Sequence, residues 1–128
     1  MTYYLTRKIN NSFDVTLSRL KDLLHHADYL IAADIDVQGA LKNKLGADLP
    51  QIRIIGTNTP KVGYQLFTCD PKLGTLLPFS IVLNEIDEGH VEVTMVDPVW
   101  LFSSVDNTGI KTLAAKIKLT FKEILENL

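Results

Sequence analysis

Two β-rich runs flank Asp87-Glu88-Gly89 in the segment FSIVLNEIDEGHVEVTMV, residues 79–96. Three residues of that composition suit a hairpin turn, so the runs predict two consecutive antiparallel strands. Before this segment strand-like and helix-like stretches alternate, and a doubly wound parallel sheet would have carried the alternation to the end. A hairpin in that place instead predicts an α+β fold. The expected architecture is two-layer, a mostly antiparallel sheet covered by helices, in the order β-α-β-α-β-α-β-β-α with a long C-terminal helix.

The closing helix rests on Ile110, Leu113, Ala114, Ile117, Phe121, Ile124, Leu125 and Leu128, which hold a 3.6-residue period over about five turns. Near the start, Tyr3 to Asn10 alternate as a strand. Phe13, Leu17, Leu20, Leu24 and Ala27 then mark one face of a helix, with Ser12 and Asp14 offering oxygens to its first amides. YLIAADIDV reads as a strand covered on part of both faces, because it is apolar over most of its length. Asp36 is a helix cap, Val37, Leu41 and Leu45 have helical spacing, and Gly46 suits a left-handed stop. QIRIIGTN is a third strand in which Gly56 predicts a bulge or a close approach of other backbone. Thr59-Pro60 opens a helix to about Phe67, CDPKLGTLLP returns the chain through a turn, and Asp97-Pro98 begins one or two helical turns.

With 128 residues, the chain has the length of one domain, expected over 1–128. Thirteen basic and fifteen acidic side chains give a formal charge of −2, which lacks the concentrated basic face that nucleic acid requires. Lys111, Lys118 and Lys122 share a side of the last helix and read as its solvated face. The longest apolar runs fall short of a membrane span, and the amino terminus has no secretion-signal pattern, so no membrane partner and a cytoplasmic location are expected. One cysteine, Cys69, fits a reducing compartment.

Chemistry-bearing motifs are scarce. No nucleophile elbow, phosphate loop, dinucleotide fingerprint or Cys-x-x-Cys pair occurs. His25 and His26 are adjacent on a helix and diverge by about 100°, so they do not chelate one ion, and no metal is expected. Asp70 beside Cys69 disfavours a thiolate. The acids at Asp34, Asp36, Glu85, Asp87, Glu88 and Asp97 suit caps, a strand edge and a turn. No catalytic residue is named, and no cofactor is identified.

Asp36-Val37, Leu41, Lys44-Leu45-Gly46, Ile54-Ile55-Gly56, Asn58, Pro60, Tyr64 and Leu76-Leu77-Pro78 form a succession that resembles the domain-of-unknown-function family numbered 302. The likeness extends to SFDVTLSRLKDLL and to the closing helix. Where that family often carries cysteine, this chain has Asn58 and Phe79, so a thiol role at those positions does not transfer. The resemblance implies a fold of the TATA-binding-protein-like α+β kind and self-association as a homodimer, with no established reaction.

Two functional expectations follow. The first is a binding domain for a small polar or anionic molecule at the strand-to-helix turn Gly56–Tyr64. There the amides of a helix start, the hydroxyls of Thr57 and Thr59 and the amide of Asn58 are expected to converge, with Tyr64 as a wall and Asp36 and Lys44 approaching from the preceding helix. The alternative is a dimeric protein–protein interaction module without a small ligand. Trp100, Leu101 and Phe102 are consecutive and cannot all face one core, which places Trp100 and Phe102 at an interface. An enzyme of unknown reaction is the third reading, supported only by a polar helix start that polarises an oxygen.

Overall fold

The computed structural model describes residues 1–128. Five strands form one antiparallel sheet in the order β1-β5-β4-β3-β2. They are β1 (Tyr4–Ile9), β2 (Leu30–Asp36), β3 (Ile52–Asn58), β4 (Phe79–Asp87) and β5 (His90–Val96). The helices are α1 (Phe13–His26), α2 (Val37–Leu45), α3 (Pro60–Cys69), α4 (Pro98–Leu101) and α5 (Thr108–Asn127). The α+β order and the long final helix are as expected. A 3-10 helix, Pro71–Leu76, replaces the expected plain turn, because Asp70 Oδ1 accepts from Lys72 N and tightens the chain there.

Period-2 patterning divides the sheet. Phe79, Ile81 and Leu83 on β4 and Val91, Val93 and Met95 on β5 alternate with more exposed residues and are fully buried. Against them lie Leu20 and Leu24 of α1 and Ile117, Phe121 and Ile124 of α5. Phe79 meets Phe121 edge-on at 5.5 Å between ring centres and Phe102 at 6.2 Å, so aromatic packing ties the sheet to two separate segments. Phe102, expected at an interface, is therefore a core residue. Of the apolar triplet, Trp100 is the one that stays accessible, 40% exposed.

Caps set the helix starts as the sequence indicates. Ser12, Asp36, Thr59, Asp97 and Asn107 each accept from a backbone amide in the first turn of the helix that follows. Gly46, at φ 64°, ends α2 in the left-handed region.

Two expectations about the strands need correction. The apolar run YLIAADIDV is not a strand covered on both faces; β2 is an edge strand, exposed along almost all its length. The irregularity expected at Gly56 lies in β2, between Ile31 and Ala33. Gly56 serves a different packing need, since a Cβ there would stand 2.7 Å from Cγ of Pro78. The lysine face of α5 is also not uniformly solvated, because Lys118 Nζ lies 2.8 Å from Oδ2 of the buried Asp97.

Candidate functional site

α1 and α5 cover one face of the sheet. On the other face, two neighbouring cross-strand rows remain at least partly accessible at every position but Gly56, which Pro78 covers. One runs Thr6–Thr94–Val82–Ile54–Ile35 through directly paired residues of all five strands. The next runs Tyr4–Val96–Ser80–Gly56–Ala33, with Val96 continuing the Ile81–Met95 register opposite Ser80. The Oγ1 atoms of Thr6 and Thr94 lie 2.9 Å apart, as a directly opposed pair on one face should.

None of these ten positions carries a charge, although charged residues make up 22% of the chain. Charges return one row on, at Lys8 and Glu92, which pair across β1 and β5. Other charges sit on the helix-covered side at the β2 edge, where Asp34 receives Lys21 Nζ at 2.9 Å and Arg53 Nη1 at 3.0 Å. Partial burial would raise the Asp34 carboxyl, but the hydrogen bonds and positive charge of Lys21 and Arg53 outweigh it and hold it below the usual carboxylate range.

At one end of the open face the end of the 3-10 helix, the following Leu77-Pro78 and Leu101 of α4 border a groove of about 480 Å³. Its floor runs from Ala33, Ile35, Ile54 and Gly56 across Ser80 to Val96 of β5, and its walls include Leu76, Leu77, Pro78 and Leu101. Pro78 can sit on the floor only because Gly56 has no side chain. Across the sheet, at the same end, Tyr3, Tyr4 and Trp100 form an accessible aromatic corner. The Tyr3 ring centre lies 4.9 Å from that of Tyr4 and 5.7 Å from that of Trp100.

The residues expected to form a polar site divide among several places. Asn58, Thr59 and Tyr64 do meet, in a shallow cleft of about 350 Å³ completed by Leu30, Pro60, Gly63 and Phe67. Gly56 belongs to the neighbouring groove. Thr57 is on the helix-covered face, fully buried, and its hydroxyl donates to Leu30 O at 2.7 Å. Asp36 is occupied as the cap of α2, accepting from Gly39 N, and lines neither cavity; Lys44 is exposed in the last turn of that helix.

The start of α3 is a poor anion cradle. Thr59 Oγ1 already accepts from Val62 N, Gly63 N donates to Thr59 O, and Pro60 has no amide hydrogen. Of the first helical amides only that of Lys61 remains. One polar feature of the cleft is unresolved locally: Asn58 Oδ1 is buried and accepts no hydrogen bond.

The sequence reading missed the open face as a unit. Its signal was present in the positions between the core residues of each strand, such as Ser80 and Val82 between Phe79, Ile81 and Leu83, which are uncharged where a solvated face would carry charge.

No group of three or more histidine, cysteine or carboxylate side chains is arranged to hold a metal ion. No helix is long and apolar enough to cross a membrane.

Residues 5–128 match the family model described as "Domain of unknown function DUF302". Comparison with curated proteins gives no match. Among solved structures, the chain resembles the crystal structure of an uncharacterized conserved DUF302 protein from Bacillus stearothermophilus, with a TM-score of 0.89 at 20% identity, over 99% of this chain and 98% of that one. At that identity the likeness carries the fold alone. Several residues through which the chain resembles the family, Ile54, Gly56, Leu76, Leu77 and Pro78, line the groove of the open face.

Proposed function

Because the chain belongs to the DUF302 family, whose description assigns no activity, its geometry has to supply the reading; we propose that it is a docking domain that receives a protein partner on the uncovered face of its sheet. The observation that carries this is the charge-free double row across all five strands. Interface centres are depleted of charged residues, and a solvated sheet face is normally rich in them. Exposed apolar side chains on and around the face point the same way: Ile35 is 48% exposed and Tyr3 59%. The aromatic corner supplies the large rigid side chains that carry most binding energy at interfaces.

Native mass spectrometry of the protein purified gently from its own cells tests this. The wild-type chain is expected to carry a second protein chain, and Ile35→Asp to lose it while remaining folded. A wild-type protein found only as a bare chain contradicts docking.

A second reading keeps a small polar ligand in the cleft of Asn58, Thr59 and Tyr64. The buried, unpaired Asn58 Oδ1 favours it, because an N–H or O–H donor would satisfy that atom. In the same spectra this reading requires a small co-purifying mass that is lost in Asn58→Ala.

A further inference from the structure

Beside the aromatic corner, on β1 and β5, lies a separate hollow of about 260 Å³, lined by Tyr3, Tyr4, Thr6, Glu92 and Thr94. It sits where the charge-free rows end and the cross-strand pair of Lys8 and Glu92 begins. Pockets that enclose a drug-sized ligand hold about 300–1,000 Å³, so this one has room for a head group.

The hydrogen bonds inside the hollow fix its polarity. Thr6 Oγ1 donates to Val93 O at 3.2 Å, which uses its only proton. In the 2.9 Å contact between the two hydroxyls Thr94 is then the donor, which uses the second proton. What the threonine pair turns outward is lone pairs. Glu92 adds an exposed carboxylate, an acceptor without donors when ionised, and it takes part in none of the chain's ion pairs although Lys8 is its register partner. Tyr3 and Tyr4 meet edge to face, so the ring that offers its edge keeps both of its own faces clear of the other, and aromatic faces are negative.

Lone pairs, carboxylate and π-faces all carry the same sign. From that agreement we propose that the hollow binds an organic cation, an alkylammonium or alkylguanidinium head group. Such a group brings positive charge and N–H donors to the acceptors, and its aliphatic stem lies against the aromatic corner, where Trp100 adjoins Tyr3 at 5.7 Å between ring centres. A saccharide needs donors as well as acceptors, and both threonine protons are already committed. An anion would meet charge of its own sign. The proposal goes beyond the docking reading: the cation is either a free organic amine or a lysine or arginine side chain of the docked partner, and the chemistry recognised is the same.

Titration of the isotope-labelled protein with n-butylammonium chloride, followed by backbone amide shifts against a sodium chloride control of equal ionic strength, tests it. Saturating shifts are expected at Tyr3, Tyr4, Thr6, Glu92 and Thr94, with a millimolar dissociation constant. Glu92→Gln should weaken binding about 5-fold and Tyr4→Leu about 3-fold, the size of exposed ion-pair and cation–π contacts. Lys8→Met removes the competing ammonium beside Glu92 and should strengthen binding about 2-fold. A purely structural role for these residues does not produce opposite signs at Glu92 and Lys8. All three positions are exposed, and the same spectra show whether each variant is folded. Lysine blocked at both ends, as its N-acetyl methylamide, is the second probe. Binding as tight as that of n-butylammonium points to a partner's side chain, and binding of n-butylammonium alone points to a free amine.

Shifts that rise without saturating, or that fall equally on exposed acids elsewhere such as Asp14 and Glu123, would overturn the site. So would an affinity indifferent to Glu92→Gln. Methyl glucoside shifting the same amides more strongly than n-butylammonium would overturn the cation. None of these results touches the docking face, which is tested through Ile35 of β2 at the opposite edge of the sheet.

Discussion

Asn58 stands where β3 gives way to α3, and its buried Oδ1 accepts no hydrogen bond within the chain. A buried acceptor without a donor costs about 1–3 kcal/mol. Asn58→Ala is therefore expected to leave the unfolding free energy in urea unchanged or to raise it by about 1 kcal/mol. A loss larger than that would show that the amide holds a partner, such as a bound water or ligand. Tyr29 gives a pH prediction. Burial pushes its hydroxyl up to about 12, so folding disfavours the phenolate. With the folded value above the unfolded one, its contribution is complete below about pH 10 and is lost as pH rises through 12. Tyr29→Phe should flatten the fall in stability between pH 10 and 12, measured by denaturant titration at stepped pH.

Single residues also show what the sequence could and could not reveal. Caps were legible because a short polar side chain before a helical period has few other uses, and Asp36, Thr59 and Asp97 all cap. The direction of a hydroxyl was not legible. Thr57 and Thr59 are two residues apart on an extended segment, yet one bonds Leu30 O in the interior and the other closes the start of α3. Their expected convergence failed for that reason.

Among the elements, α5 is held at its far end by side chains distant in sequence. Arg7 Nη1 of β1 donates to Leu125 O at 2.6 Å and to Glu126 O at 2.9 Å, and Arg19 of α1 donates to Asn127 O. Glu126 O and Asn127 O lie beyond the last backbone bonds of the helix, Leu125 O accepts in addition only the long bond from Leu128 N at 3.4 Å, and a cation beside them also complements the helix dipole. Arg7→Met should cost about 1–2 kcal/mol and speed amide exchange mainly in the last turn of α5. Equal acceleration along the helix would contradict a local clamp. The sequence identified α5 through its period but not this clamp, because nothing in the spacing links residue 7 to residue 125. β2 was misjudged for a related reason. Apolar content indicates that a strand avoids water, and it does not distinguish burial by helices from apolar residues left on an open face.

At the level of the entire chain, one face of the sheet holds the core and the other carries two charge-free cross-strand rows that α1 and α5 do not cover. The alternation that established the fold is the same property that created the second face, since every residue between two core positions must point the other way. Sequence reading used half of that pattern. It assigned both Trp100 and Phe102 to an interface, whereas Phe102 lies in the core and Trp100 is 40% exposed, because three consecutive apolar residues in a short helix do not announce which one turns inward.

Hydroxyl-radical footprinting locates a covered face directly, with the chain labelled once in an extract of its own cells and once bare at nanomolar concentration. Oxidation at Tyr4, Ile35 and Val82 is expected to fall several-fold in the extract, while Leu45, Tyr64 and Leu119, exposed elsewhere on the surface, react equally in both. Equal reactivity of Tyr4, Ile35 and Val82 in the two samples would contradict the docking face.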